Sequence, residues 1–257
     1  YKMNYSLKAV FFTAVLFSAF TSSAQIINIE NARMHSDTTG WMGGAGAAFS
    51  LNQNKEKITG GNIQAHLQHK TKTDKSLWLL LGDYGLLKAG CEKLIAEGFG
   101  HIRYNRKINN WLRWEAFGQF QKNVITQIDS RYLIGTGPRF RIINNKILRL
   151  YAASLVMYER EKETSSIVPV QNIARSSSYI SFTLTPVETT DITSTTFFQP
   201  AINNLSDYRI LNQVKIGVKA TKHFSLSLKW NYLFDNRPAG AAPKTTYSLS
   251  TGIDYDF

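Results

Sequence analysis

The feature that most constrains the fold is an apolar stripe with a period of two, which recurs in segment after segment from residue 40 onward. Its clearest instance runs over residues 224–234, where aromatic and aliphatic side chains alternate with mostly polar ones. A helix would place apolar residues three and four positions apart, whereas a strand directs successive side chains to opposite faces. The chain is therefore predicted to be all-β.

The stripes are long enough for a tilted strand to cross a bilayer, which takes about ten residues. Similar stripes occupy residues 112–120 and 131–142. We predict that lipid contacts the outward stripe of Trp114, Phe120, Tyr132, Phe140, Leu226, Leu228, Trp230, Tyr232 and Phe234. Strands are predicted at roughly 40–51, 58–70, 75–86, 95–108, 111–125, 131–143, 147–159, 175–185, 191–202, 208–220, 223–235 and 245–257.

This pattern predicts an antiparallel up-and-down transmembrane β-barrel of about twelve strands. A soluble β-sandwich is the alternative, because a half-buried sheet also alternates. The connections favour the barrel, since bacterial barrels have short periplasmic turns and longer external loops. Asn109-Asn110, Asn144-Asn145 and Thr221-Lys222 fall in even-numbered connections, and the long segments 160–174 and 236–244 fall in odd-numbered ones. Asparagine is expected in such turns because it tolerates positive φ.

The beginning of the sequence predicts export. Lys8 precedes an apolar run from Ala9 to Phe20, and Ser22 and Ala24 supply the small residues of a signal-peptidase site. The run is too short to span a membrane as a helix. We expect a cleaved signal peptide at 1–24, a periplasmic N-terminal segment at 25–39 and the barrel at 40–257; a buried N-terminal helix is the alternative.

The last strand and the charge balance indicate the same location. Tyr255 and Phe257 end an apolar stripe in the manner of the signal that the barrel-assembly machinery recognises. The net charge of +12 suits a polar lumen or a lipopolysaccharide-facing rim, and export argues against nucleic acid as a partner. We expect the outer membrane of a Gram-negative bacterium, with membrane lipid, lipopolysaccharide and the assembly machinery as partners. Cys91 is the single cysteine, so no intramolecular disulfide can form.

Two consecutive segments resemble a known family. Residues 113–123 are RWEAFGQFQKN and residues 129–140 are DSRYLIGTGPRF. These segments resemble the salt-induced outer-membrane protein family, a Gram-negative barrel family of unknown function, most strongly over about 95–160. The resemblance implies the barrel fold and the outer-membrane location, and it implies no activity.

Charged residues recur on the predicted inner face, and neighbouring strands about 4.8 Å apart would bring several together. The predicted set is Arg103, Arg113, Glu115, Arg131, Arg139, Arg141, Arg149 and Glu159. Interior charges of opposite sign are expected to pair and fill the lumen, because an unpaired buried charge is costly. The alternative is a narrow, anion-favouring passage in which excess arginine sets the field.

An enzyme is the remote alternative. His223 and Ser225 have the His-x-Ser spacing of some outer-membrane lipid hydrolases, but the pair follows a predicted periplasmic turn. The remaining histidines lack ligand spacing, since His66 and His69 would point to opposite faces of a strand. We therefore predict no catalytic residues, no metal and no cofactor. The sequence favours a structural or envelope-stress barrel with a filled lumen over a channel.

Overall fold

The computed structural model describes residues 39–53, 57–89, 92–123, 127–164, 169–238 and 244–256. Within them the chain forms twelve strands, each antiparallel to its neighbours in the order of the sequence. They are β1 (Gly40–Gln53), β2 (Lys57–Lys70), β3 (Ser76–Ala89), β4 (Glu92–Lys107), β5 (Leu112–Asn123), β6 (Ile128–Asn144), β7 (Leu148–Glu163), β8 (Gln171–Val187), β9 (Thr190–Ala201), β10 (Asn204–Lys219), β11 (Phe224–Asp235) and β12 (Thr245–Asp256).

The sheet closes on itself. β12 returns to pair with β1 over Gly44–Asp256 to Ala47–Ile253, so the strands form a closed barrel. The predicted fold class, an antiparallel barrel of twelve strands, is confirmed. The predicted signal peptide, most of the 25–39 segment, Cys91 and Phe257 lie outside the described residues.

Alternation along each strand separates an inner face from an outer face. In β7, Leu155, Met157 and Glu159 point inward and are at most 2% exposed, whereas Val156 and Tyr158 are 59% and 49% exposed. The inner face carries charged as well as apolar side chains, and large apolar side chains cover the outer face. Among the described residues, no helix is long and apolar enough to cross a membrane.

Short turns close one end of the barrel, which we call the turn end. In the turn before β5, the side-chain oxygen of Asn109 accepts two backbone N–H bonds at 3.0 and 2.8 Å, and Asn145 does the same before β7 at 3.0 and 2.7 Å. Among the described residues other than glycine, only Asp74 and Gln127 have a positive φ. The expectation that asparagine serves here through positive φ is therefore wrong: it closes the turn with its side chain.

Several strands, among them β3, β7 and β10, extend further than predicted at the opposite end, which we call the loop end. β7 continues to Glu163 and β8 begins at Gln171, so the long connection predicted at 160–174 covers only 164–170. The alternation persists here with Arg160 and Lys162 on the outer face. Because the apolar stripe stops before the strand does, hydropathy alone placed the strand end too early.

Candidate functional site

A carboxylate at the loop-end half of the lumen collects three arginines. The Glu159 side chain on β7 is 1% exposed. Its carboxylate lies 3.8 Å from Arg131 Nε, 3.3 Å from Arg175 Nε and 2.8 Å from Arg209 Nη1. These arginines project from β6, β8 and β10, so the cluster joins strands that are not all neighbours in the sheet. The lumen is crossed by ion pairs at this level.

Further acids complete the loop-end cluster. Arg209 Nε donates to Asp235 at 2.7 Å, and Arg209 Nη2 lies 3.5 Å from Glu161. Arg175 Nη1 donates to Asp207 at 3.0 Å. Arg131 also contacts Glu161, donating from Nε at 2.6 Å. Each arginine thus contacts more than one carboxylate, which is the condition under which burying it is tolerable.

A second cluster lies in the turn-end half of the lumen and is centred on Glu115. The Glu115 carboxylate accepts from Arg103 Nη1 at 3.1 Å and from the Tyr179 hydroxyl at 2.7 Å, and it lies 3.6 Å from Arg139 Nη1. The guanidinium of Arg139 stacks on the Tyr151 ring with 3.9 Å to the centroid. Tyr179 belongs to β8 and Glu115 to β5, so this bond also joins non-adjacent strands.

Apolar side chains pack inside the barrel together with these clusters. The buried apolar set is Phe117, Ile128, Leu133, Ala153, Leu155, Met157, Tyr179, Phe197, Leu211 and Leu233. Gly135 makes room for it, because a Cβ there would lie 2.5 Å from the Phe117 ring. Charge and apolar packing together fill this side of the lumen.

The opposite wall of the lumen is less tightly filled. Lys215 Nζ lies 2.8 Å and Lys229 Nζ 3.6 Å from the Asp254 carboxylate, and the lysine side chains are 23% and 25% exposed. Because they point inward, that exposure is to the lumen. Gly46 lets neighbouring side chains lie flat here, since a Cβ would lie 2.7 Å from Asp254 Oδ1. Two lysines thus share the Asp254 carboxylate, and Lys229 also interacts with the carboxylate of Asp83 on β3.

Residues 95–257 match a family model that is described as a protein of unknown function, DUF481. This match decides the sequence family. The chain belongs to DUF481. The resemblance found at residues 113–140 lies within the matched residues. The family's description names neither an activity nor an inducing condition. No curated protein sequence matches the chain.

Solved structures share the fold of this DUF481 chain. The NanC porin aligns with a TM-score of 0.53 at 8% identity, covering 84% of this chain and 100% of NanC. The COG4313 outer membrane channel from Pseudomonas putida F1 aligns with a TM-score of 0.54 at 10% identity, covering 86% of this chain and 97% of that one. At these identities the likeness shows the fold alone.

The DUF481 barrel brings together five of the eight lumen residues expected from the sequence. Arg103, Glu115, Arg131, Arg139 and Glu159 are all at most 5% exposed and lie in the two clusters. Three others lie toward the turn end. Arg113 pairs with Asp74 at 3.5 Å, Arg141 donates to the backbone carbonyl of Asn110, and Arg149 lies opposite Thr183 on β8. These three lie closer to the strand ends than the residues of the two clusters do, and their part in a lumen network stays a prediction.

Sequence analysis missed five of the seven residues of the loop-end cluster: Glu161, Arg175, Asp207, Arg209 and Asp235. Strand alternation could have found them. Side chains an even number of residues apart on one strand point to the same face, and each of these residues is such a distance from an inward residue of its own strand. Glu161 fell outside the set because β7 was ended at residue 159.

The other predicted residues lie as follows. Trp114, Phe120, Tyr132, Phe140, Leu226, Leu228 and Trp230 are 36–56% exposed on the outer face, and Tyr232 and Phe234 are half-buried there. Tyr255 is 40% exposed and packs on Phe224 with 5.1 Å between ring centroids.

The His223 ring Nδ1 forms a hydrogen bond with the backbone carbonyl of Asp256 at 3.0 Å, so this nitrogen already has a backbone partner. No group of metal-binding side chains occurs in the part of the chain that the structure describes.

Proposed function

We propose that this protein is a structural barrel of the outer membrane whose lumen is closed by the Arg/Glu clusters. The observation that carries the proposal is the Glu159 cluster, in which arginines from β6, β8 and β10 converge on one carboxylate that is 1% exposed. Such a cluster ties three parts of the wall together across the lumen. A role in the mechanical integrity of the envelope under stress follows from that construction.

The physical argument concerns how tightly the charges are held. An ion path needs groups that water reaches and that release an ion as readily as they bind it. The side chains of Arg175, Arg209 and Glu159 are 1%, 4% and 1% exposed, so each has exchanged water for protein partners. Removing one partner from such a cluster leaves a buried charge uncompensated. The cluster therefore resists opening.

The outer face supports the location. Large apolar side chains such as Ile63, Ile134 and Ile180 are 58–65% exposed, far from the polar surface expected of a barrel in water. A barrel in lipid has this distribution, with an apolar band outside and polar groups inside. The fold shared with the NanC porin, and the predicted signal peptide, agree with an outer-membrane location.

The test is planar-bilayer conductance of the refolded chain. The wild type is expected to be silent, whereas a Glu159→Ser/Arg209→Ser/Asp235→Asn variant is expected to give discrete current steps. It empties the centre of the cluster and neutralises the acid that Arg209 holds, while Arg131 keeps Glu161 and Arg175 keeps Asp207. Lys146→Ser, an exposed change in a turn, is the control and should stay silent. Current steps from well-folded wild type, judged by a heat-modifiable gel shift, would contradict the closed lumen.

A narrow, anion-favouring passage is the second candidate. The observation that favours it is the pair Lys215 and Lys229, which face the lumen, are partly exposed and share Asp254. A path along that wall would bypass the Arg/Glu clusters. Wild-type steps that prefer chloride over potassium, and that lose this preference in Lys215→Gln/Lys229→Gln, would establish the passage in place of the closed barrel.

A further inference from the structure

The charges of the β7 loop-end segment are sorted between the two faces of the wall. Residues 159–163 read Glu-Arg-Glu-Lys-Glu. The three glutamates point inward and are at most 4% exposed, while Arg160 and Lys162 are exposed on the outer face. Strand alternation alone thus sends acids into the lumen and bases outward. Lumen arginines pair with Glu159 and Glu161, and Glu163 accepts a hydrogen bond from Gln171 at 3.1 Å, but these inward contacts do not account for the bases on the outer face.

A third base joins them from a different strand. The Lys122 side chain on β5 is 50% exposed and the Lys162 side chain is 57% exposed, and both are on the outer face. Their ammonium groups each lie 3.1 Å from a different carboxylate oxygen of Asp129. Asp129 therefore holds both ammoniums close to one point. With Arg160 the four side chains have three positive charges and one negative charge.

A row of aromatic rings lies level with Arg160 and one inward-outward repeat below Lys122 and Lys162. Tyr132 pairs with Phe120 on one side and with Arg160 on the other, and Tyr132 and Phe120 are 53% and 40% exposed. Lys162 is two residues further toward the loop end than Arg160, about 7 Å along the strand. Exposed aromatic rings mark the level where hydrocarbon meets headgroups. The bases thus lie at headgroup level.

We propose that Lys122 and Lys162, which Asp129 positions, form together with Arg160 a binding site for the phosphates of an outer-leaflet glycolipid. The inference rests on the proposed outer-membrane location. The excess of two positive charges over the four side chains favours a headgroup with two phosphates over a headgroup with one. Long basic side chains also reach lipid phosphates while their stems stay on apolar surface.

The experiment is native mass spectrometry of the full chain, refolded in detergent and titrated with bisphosphorylated lipid A. The Lys122→Gln/Lys162→Gln variant is expected to bind about tenfold more weakly than wild type, or worse. Lys146→Gln/Lys222→Gln removes the same charge from exposed turn-end positions and should bind as wild type does. A heat-modifiable gel shift checks that each variant is folded.

Three results would overturn the site. The first is that both variants lose the same affinity for bisphosphorylated lipid A. The second is that the wild type binds lipid A stripped of its phosphates as tightly as bisphosphorylated lipid A. The third is that the wild type binds phosphatidylglycerol as tightly, which would mean that any single phosphate suffices. The conductance measurement remains separate. A conducting wild type would contradict the closed lumen without affecting lipid binding, and lost lipid binding in a silent barrel would contradict this site alone.

Discussion

At the scale of single residues, stability depends on whether each buried charge keeps its partners. Arg139 is 2% exposed, stacks on Tyr151 and lies 3.6 Å from Glu115, whose side chain is fully buried. Arg139→Ala takes a cationic partner from a carboxylate that water does not reach. We expect the free energy of unfolding to fall by about 3–5 kcal/mol. Urea titration in detergent, followed by the gel shift of folded barrel, measures it.

The matched control is Arg141→Ala, two residues further along β6. Arg141 is half-buried at the turn end and donates to the backbone carbonyl of Asn110. Its loss should cost less than about 1 kcal/mol, because water can replace the interaction. Similar losses for the two variants would mean that the Glu115 cluster contributes nothing beyond an ordinary surface contact.

At the scale of elements, one turn residue connects two hairpins. Asp74, between β2 and β3, lies 3.3 Å from Lys70, 3.4 Å from Lys107 and 3.5 Å from Arg113. It therefore links its own hairpin to β4 and β5. Burial would raise the pKa of Asp74, but Arg113 and Lys70 outweigh burial, and the net pKa is lowered.

That direction predicts a pH dependence. Because the folded pKa lies below the unfolded value, the stabilisation by Asp74 is present above about pH 4 and is lost as pH falls through the lower, folded pKa. Asp74→Asn should reduce stability at pH 7 by up to about 1 kcal/mol. The difference from wild type should vanish in acid. Asparagine accepts the positive φ of 53° at this position, so the substitution changes charge without adding backbone strain. A constant difference from pH 7 down to acid would refute the electrostatic link.

Elements are also the scale at which sequence predicts most. Every predicted strand exists, because a period of two over ten residues admits little else. The loop end of β7 was placed too early, because outer positions there are polar, as at Arg160 and Lys162, and the apolar stripe no longer marks the strand. The alternation of side chains along each strand predicts that Glu115 and Glu159 point inward, but it does not predict which side chains they pair with. Partners such as Tyr179 and Arg209 come from strands separated in the sheet, and only the closed barrel brings them across.

At the scale of the whole molecule, the two sides of the lumen differ. The paired clusters and the apolar packing take side chains from β4 to β11, whereas Lys215 on β10, Lys229 on β11 and His66 on β2 keep 17–25% of their side-chain area exposed. Closure therefore depends on the clusters and the apolar packing, and the side of the lumen lined by the two lysines is less tightly filled. For this reason the conductance test removes Glu159 together with Arg209. An ion path that avoids the Arg/Glu clusters would run along Lys215 and Lys229.

The outer face of the whole barrel predicts its contact with lipid. The chain has five tryptophans, and all are 38–66% exposed: Trp41, Trp78, Trp111, Trp114 and Trp230. The Trp114 indole N–H donates to Thr136 at 2.8 Å, so its polar atom is satisfied without water. In vesicles whose acyl chains are brominated, which quench indole on contact, we expect tryptophan emission to fall by more than about half, because these rings lie in the apolar band. Urea-unfolded chain mixed with the same vesicles is the control and should keep its emission. If aqueous iodide quenched the folded protein strongly and brominated lipid did not, the exposed rings would face water, and the barrel could not span a bilayer in this form.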